Sequence, residues 1–184
     1  VMVKNRIEKQ VKFLLTSRNI VAVGGQCERI NDLGRRLGTK RFPLTHVEIY
    51  SMVFRSVPIQ QPTLMVNRDL LPKDFPWYET SLPIGEDYDL YYKLLHYGKL
   101  ANLQDIVLFY REHDKGISFI SQRKTFWYIW KARLFGIFKY GYIPDIRSLI
   151  NVILQTIIVF MLPEKLLYPL HMRTRQLFFK NGNS

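Results

Sequence analysis

Apolar residues recur at helical spacing near the start of the chain. Asn5 is followed three residues later by Glu8, a capping-box pattern that marks the beginning of a helix. The apolar residues that follow at this spacing are Ile7, Val11, Leu14 and Leu15. Because they repeat every three or four positions, they predict a first helix that ends near Ser17.

Short β-branched runs predict the strands. Residues 19–25 (NIVAVGG) form one such run, closed by two glycines, and residues 62–71 (PTLMVNRDLL) form another. Residues 26–56 are polar and irregular, with a short helix expected around 46–55. Residues 99–113 (KLANLQDIVLFYREH) predict two short strands on either side of a turn near 104–105.

A second clear helical pattern begins at a cluster of acids, "GEDYDLYY", that follows a proline-containing loop over residues 74–85. Leu90 and Leu94 mark its apolar face, and Gly98 stands where a helix-ending glycine belongs, so a helix is predicted over 86–97. Asp87 lies three and seven residues before the two leucines and shares their inward face. Asp89 lies four residues before Lys93 and is expected to pair with it in solvent. Helices that alternate with strands in this way indicate an α/β fold.

Residues 122–184 differ from the rest in composition. They carry 10 Lys and Arg against 2 Asp and Glu, whereas residues 1–121 carry 17 against 13, within a total net charge of +12. The most apolar stretch, 149–162, would make a helix of about 21 Å, shorter than the roughly 30 Å of a bilayer core. We therefore expect residues 122–184 to form a basic helical tail that lies on an anionic membrane surface.

Aromatic residues support this expectation for the tail. Trp127, Trp130, Tyr140 and Tyr142 are expected near the lipid headgroups. The alternative is a helix pair packed on the main domain, with a solvated basic outer face. The chain has a single cysteine, Cys27, which fits a reducing compartment, and charges from Lys4 onward predict no signal peptide. The expected location is cytoplasmic and peripheral, on the inner face of the cell membrane.

The acids at 86–89 have two interpretations. Carboxylates in the first turn of a helix stabilise its positive end and need no catalytic role. A second polar segment, "YREHDKGIS", follows an apolar strand, however, and the ends of strands are where α/β folds place functional sites. The residues by themselves leave both interpretations open.

The two segments together carry a resemblance. The stretch "GEDYDLYYKLLHYGKLANLQDIVLFYREHDKGIS" resembles the carboxyl-terminal half of a family 2 inverting glycosyltransferase of the GT-A fold, in which a Glu-Asp pair opens a helix and a later strand ends in Tyr-Arg-x-His. The segments "NRIEKQVKFLLTSRNIVAVGG" and "QPTLMVNRDLL" are similar to earlier parts of that half. The resemblance implies a partial GT-A domain over residues 1–121, without its amino-terminal nucleotide-binding half, followed by the helical tail.

Roles for individual residues follow from the resemblance. Asp87 would be the general base that takes the proton from the acceptor hydroxyl, and Glu86 would orient the acceptor or support that base. Arg111 would lie near the donor diphosphate, and His113 would help hold a divalent metal, Mn²⁺ or Mg²⁺. An imidazole among oxygen ligands suits Mn²⁺ better. The implied partners are a nucleotide-sugar donor and a saccharide or lipid-linked acceptor, as in cell-surface polysaccharide or glycolipid synthesis.

Asp87-Tyr88-Asp89 spells the Asp-x-Asp of the family's metal site, but a helical turn should send the two side chains to different faces. The alternative to an enzyme is a basic module, a truncated and inactive relic, that binds anionic membrane or nucleic acid. Nucleic acid is not expected, because the positive charge accompanies a long apolar run that a soluble groove does not need.

Overall fold

The computed structural model of the protein describes residues 1–78, 81–111, 122–163 and 166–167. The described helices are α1 (Arg6–Thr16), α2 (His46–Val53), α3 (Glu86–Tyr97), α4 (Gln122–Tyr140) and α5 (Ile146–Met161). The strands are β1 (Ile20–Ile30), β2 (Arg36–Lys40), β3 (Met65–Val66) and β4 (Lys99–Arg111).

A four-stranded mixed sheet is built around β1. β4 runs parallel to β1 along its whole length, from the pair Ile20 and Lys99 onward. On the other side, β3 pairs antiparallel with the first half of β1 and β2 pairs antiparallel with its second half. The predicted α/β class is confirmed, because the sheet is mixed and helices pack on it.

The first strand is longer than its sequence pattern indicates. β1 continues through Ile30 and pairs there with β2, within a segment that was expected to be irregular. Cys27 and Glu28 are buried because strands flank them on both sides. Pairing with distant residues therefore extends a strand that the local pattern ends at Gly25.

The expected turn near 104–105 is wrong, because β4 is one continuous strand of 13 residues. Its register against β1 jumps instead, since Gly25 faces Leu103 while the next residue, Gln26, faces Ile106. The side chain of Gln26 donates a hydrogen bond from Nε2 to the Leu103 carbonyl at 2.9 Å. The extra residues are accommodated as a bulge that a buried amide holds in place.

Three predicted helices are confirmed, with bounds close to those expected. In α1, however, Asn5 makes no side-chain cap, so the capping-box prediction is wrong there. The side chain that α1 buries completely is Gln10, whose Nε2 donates to the carbonyls of Val23 at 3.0 Å and Thr63 at 2.7 Å. The apolar row at Ile7, Val11 and Leu15 is exposed. A capping box does occur at α2, between Thr45 and Glu48.

Helices α4 and α5 pack on the α/β part of the chain. Ala132, Tyr142 and Val152 belong to the same buried core as Val21 and Leu94. At the centre of the contact, Gly136 of α4 lies against the ring of Tyr92 in α3. The helix pair is thus attached to the main core, as the alternative interpretation of the tail expected.

One aromatic expectation for the tail is wrong. Tyr142 was expected near lipid headgroups, but it is only 4% exposed. Its hydroxyl donates to the Tyr50 carbonyl at 2.7 Å, and its ring lies beside those of Tyr50, Phe54 and Tyr92. Among the described residues, no helix combines the length and the apolar character that crossing a membrane requires.

Candidate functional site

The acidic start of α3 follows a glycine in an unusual conformation. Gly85 precedes the first helical residue and has a φ of 84°, in the left-handed region that favours glycine. Its backbone carbonyl accepts the first helical hydrogen bond, from the Asp89 N–H. No side chain of the residue at this position caps the helix, and three acids, Glu86, Asp87 and Asp89, lie in its first turn, at the positive end of the helix dipole.

Asp87 is the perturbed acid of this turn. Its side chain is half-buried, and Oδ1 accepts a hydrogen bond from the Tyr88 backbone N–H at 2.9 Å. Burial, followed by the negative charge of Glu86, raises the pKa of Asp87 to about 6. The backbone hydrogen bonds and the charge of Lys40 act in the opposite direction. A carboxylate with this pKa is mostly ionised at neutral pH and still accepts a proton readily.

Glu86 occupies the solvent side of the same turn. Its side chain is exposed, whereas that of Asp87 is partly withdrawn. The structure therefore brings the two predicted catalytic acids together as neighbours with different environments. Burial raises the pKa of Asp87, and a carboxylate shifted towards neutral pH in this way can take a role different from that of an exposed neighbour.

Lys40 supplies a positive charge to this region. It is the last residue of β2, and its Nζ donates a hydrogen bond to Gln60 Oε1 at 2.6 Å. The ammonium group lies 5.1 Å from the ring centre of Phe42 and 5.7 Å from that of Tyr110. It is close enough to Asp87 for its charge to lower the pKa of that carboxyl.

Tyr91 lies one helical turn after Asp87 and is fully buried. Its hydroxyl donates to the Ile59 carbonyl at 2.7 Å. Burial, with the charge of Asp87 as the next cause, raises the pKa of Tyr91 well above its ordinary value. The phenol therefore stays protonated and ties α3 to the segment that carries Gln60.

Asp89 has a different environment from the one expected. It is fully buried and forms an ion pair with Lys93 at 2.8 Å, so the prediction of a solvent-exposed pair is wrong. Lys93 is itself only 3% exposed. The spacing of the two residues predicts the pairing but does not reveal the burial, which depends on tertiary packing. Because Asp89 is committed to Lys93, it is not available to act beside Asp87 as an Asp-x-Asp metal site.

Arg111 lies away from these acids. It ends β4, is exposed, and donates from Nη1 to the Asp32 carbonyl at 2.5 Å. With Arg36, it lines an open cleft of about 390 Å³ at the end of the sheet. Consecutive strand residues point to opposite faces, so Arg111 points away from the side where Tyr110 meets Lys40. The structure thus does not bring Arg111 to Asp87.

The predicted metal ligand, His113, lies outside the described residues. Within the described part of the chain, no group of three or more His, Cys, Asp and Glu side chains could hold a metal ion. Glu86, Asp87 and Asp89 therefore do not form such a group.

Sequence reasoning missed Lys40 and Gln60. Both lie in segments without a strong periodic pattern, and neither belongs to a recognisable motif. They meet because β2 and the segment before β3 flank the same central strand. A lysine at the end of a short polar strand carries no local signal of that proximity.

No protein-family model matches the chain, and no curated protein matches it. The glycosyltransferase resemblance thus rests on the quoted sequence segments.

Proposed function

We propose that this chain contributes the acceptor-activating part of an inverting glycosyltransferase, with Asp87 as the general base. The observation that carries the proposal is the position of Asp87: half-buried in the first turn of α3, beside an exposed Glu86, with a pKa of about 6. The α/β fold and the order of the quoted segments support the same interpretation.

The proposed chemistry needs a carboxylate tuned towards neutral pH. During inverting transfer, the acceptor hydroxyl attacks the sugar carbon while the nucleotide leaves from the opposite side. The hydroxyl proton passes to Asp87 Oδ2 or Oδ1 as the new C–O bond forms. A free aspartate has a pKa of about 3.9 and is a weak base, whereas a raised value increases its share of the proton. A positioned base of this kind typically contributes about 10²–10⁴-fold.

Lys40 would act as a positioning residue in this scheme. Its charge lowers the pKa of Asp87 and so opposes the effect of burial. The ammonium is held by Gln60 at 2.6 Å and by the aromatic rings beside it. We expect it to keep Asp87 ionised at neutral pH, so that the base is ready when an acceptor binds.

The rest of the assignment remains a set of predictions. They include a nucleotide-sugar donor, a saccharide or lipid-linked acceptor, donor contact by Arg111, and a divalent metal, Mn²⁺ or Mg²⁺, held with the help of His113. The proposed place of action is the cytoplasmic face of the membrane. The tail with its basic excess supports that location.

The test is a transfer assay on the intact protein, with a panel of nucleotide-sugars and Mn²⁺, in which release of nucleoside diphosphate is measured. Asp87→Asn should lower kcat by at least about 10²-fold and leave donor binding nearly unchanged. Asp69→Asn, which neutralises an exposed acid on a 3₁₀ turn, is the matched control and should retain activity.

The pH profile separates a base from a structural acid. In the wild type, kcat/KM should rise with pH and level off above about 6, the pKa of Asp87. Lys40→Met should move this limb to higher pH, because it removes a charge that lowers that pKa. Normal turnover by Asp87→Asn would reject the proposed role, and an unmoved limb in Lys40→Met would reject the role of Lys40.

A further inference from the structure

Helix α5 presents an apolar surface to solvent. Eight of its large apolar side chains are between 41% and 78% exposed. They are Ile146, Ile150, Ile153, Leu154, Ile157, Ile158, Phe160 and Met161. At 100° per residue they cover most of one side of the helix, which is here called the outer face. Exposed apolar patches of this kind mark interaction sites.

Three polar side chains of α5 face the rest of the protein. Ser148 Oγ donates to the Ser51 carbonyl at 2.7 Å, and Gln155 Nε2 donates to the Arg55 carbonyl at 3.3 Å. Thr156 Oγ1 accepts a hydrogen bond from the Trp130 indole at 3.0 Å. These contacts fix the rotation of the helix about its axis. This side also buries Val152, whereas Arg147 and Asn151 are exposed, so both polar and apolar contacts attach the helix while its isoleucines point outward.

Helix α4 extends the outer face. Trp127, Leu134 and Phe138 are exposed, and their spacing of seven and four residues places them along one line of the helix. The ring of Trp127 meets that of Phe160 edge-on at 5.5 Å, which joins the line to the outer face of α5. The apolar surface is therefore shared by both helices.

The charge on these two helices has one sign. Across α4 and α5 there are six Lys and Arg residues and no Asp or Glu. The basic residues are Arg123, Lys124, Lys131, Arg133, Lys139 and Arg147. Asp145, just before α5, is occupied by hydrogen bonds from Ser51 and Ser148 on the inner side. A second copy of the chain would bring like charges together, whereas an anionic surface complements them.

We propose that the outer face of α4 and α5 binds an anionic phospholipid membrane, with α5 lying parallel to its plane. A helix of 16 residues is about 24 Å long, and its isoleucines would enter the boundary between headgroups and acyl chains. Arg133 is buried, so the basic side chains that would meet lipid phosphates are the other five on these helices. The proposal does not depend on the chemistry at Asp87, because no residue of the outer face belongs to the site around Asp87.

The experiment measures binding of the full chain to vesicles that mix phosphatidylcholine with anionic phosphatidylglycerol, whose headgroup charge attracts basic segments. The test variant is Ile150→Glu/Ile157→Glu on the outer face. The control is Leu15→Glu/Val47→Glu, which changes the net charge by the same amount at exposed apolar sites on α1 and α2. We expect the test variant to lose at least about tenfold in partition coefficient and the control to lose less than about threefold.

Lipid composition and salt separate the two contributions. Vesicles of phosphatidylcholine alone should bind more weakly, because the anionic headgroups are missing. Binding to the anionic vesicles should fall as salt is added but persist in part, because apolar insertion is not screened. Circular dichroism of both variants checks that each is folded.

Three results would overturn the proposal. The first is an absence of wild-type binding, and the second is an equal loss in test and control variants, which would mean that only net charge matters. The third comes from sedimentation without lipid. A wild-type dimer that the test variant dissociates would show that a second copy covers the outer face instead.

Discussion

At the scale of single residues, two aspartates in one helical turn have opposite environments. Asp89 is fully buried against Lys93, and Asp87 is half-buried with a pKa raised to about 6. Lys93 pairs with Asp89 at 2.8 Å, whereas burial is the largest influence on Asp87 and raises its pKa. Their separation in sequence gives no indication of this difference.

The raised pKa of Asp87 predicts a pH-dependent change in stability. The folded state favours the protonated carboxyl, so wild-type stability is lost as pH rises from about 4, the unfolded pKa, to about 6. Asp87→Asn removes this loss. At pH 8 its free energy of unfolding should exceed that of the wild type by about 1–2 kcal/mol, a value reduced for partial exposure. At pH 4 the two should be nearly equal.

Urea unfolding at both pH values provides the measurement. Asp69→Asn is the control, because that acid is exposed and should show no comparable difference between pH 4 and pH 8. An Asp87→Asn variant that is equally stable or less stable than the wild type at pH 8 would contradict the environment described for Asp87.

At the scale of elements, helix boundaries were easier to predict than strands. The bounds of α1, α2 and α3 agree with the sequence patterns because helical hydrogen bonds and apolar spacing are local. β2 was missed, and the bulge in β4 was taken for a turn. Both depend on pairing with β1, whose residues are distant in sequence, and a short polar strand has no pattern of its own.

The contact between α3 and α4 gives a second prediction. A Cβ at Gly136 would lie 2.8 Å from ring atoms of Tyr92, which is fully packed in the core. Gly136→Ala should therefore lower the free energy of unfolding by about 1–2 kcal/mol, because the clash outweighs the roughly 1 kcal/mol gained from helix propensity. Leu134→Ala, at an exposed position of α4, should change it by less than about 0.5 kcal/mol. Thermal or urea unfolding would show the difference, and a stabilised Gly136→Ala would mean that the helices lie farther apart.

At the scale of the whole molecule, the tail helices and the sheet belong to one packed core. Arg133 of α4 is buried and donates from Nε to the Phe54 carbonyl at 2.6 Å, and Val152 of α5 is fully buried. The outer face stays apolar even though the inner side is attached. The two interpretations of the tail, as a packed helix pair and as a membrane-binding segment, are therefore compatible.

The shared core predicts a single unfolding transition. Trp77 reports on the loop beside Phe75, and Trp130 reports on the contact between α4 and α5. Two variants are needed, each of which keeps one of these tryptophans and has phenylalanine at the other tryptophan positions. The urea midpoint of tryptophan fluorescence should be the same in both variants and should equal the midpoint measured by circular dichroism. If the Trp130 signal changes at a clearly lower urea concentration, α4 and α5 unfold as a separate unit.

The sequence by itself determined the helices, the α/β class, the acidic start of α3, and the basic, apolar character of the tail. These features depend on the local spacing of residues and on composition, and both can be read directly from the sequence. Only the tertiary structure decided that Asp89 is buried, that Lys40 lies near Asp87, that Arg111 points elsewhere, and which side of α5 is exposed. Each of these depends on which distant segments meet, because burial and electrostatic environment are set by neighbours in space rather than neighbours in sequence.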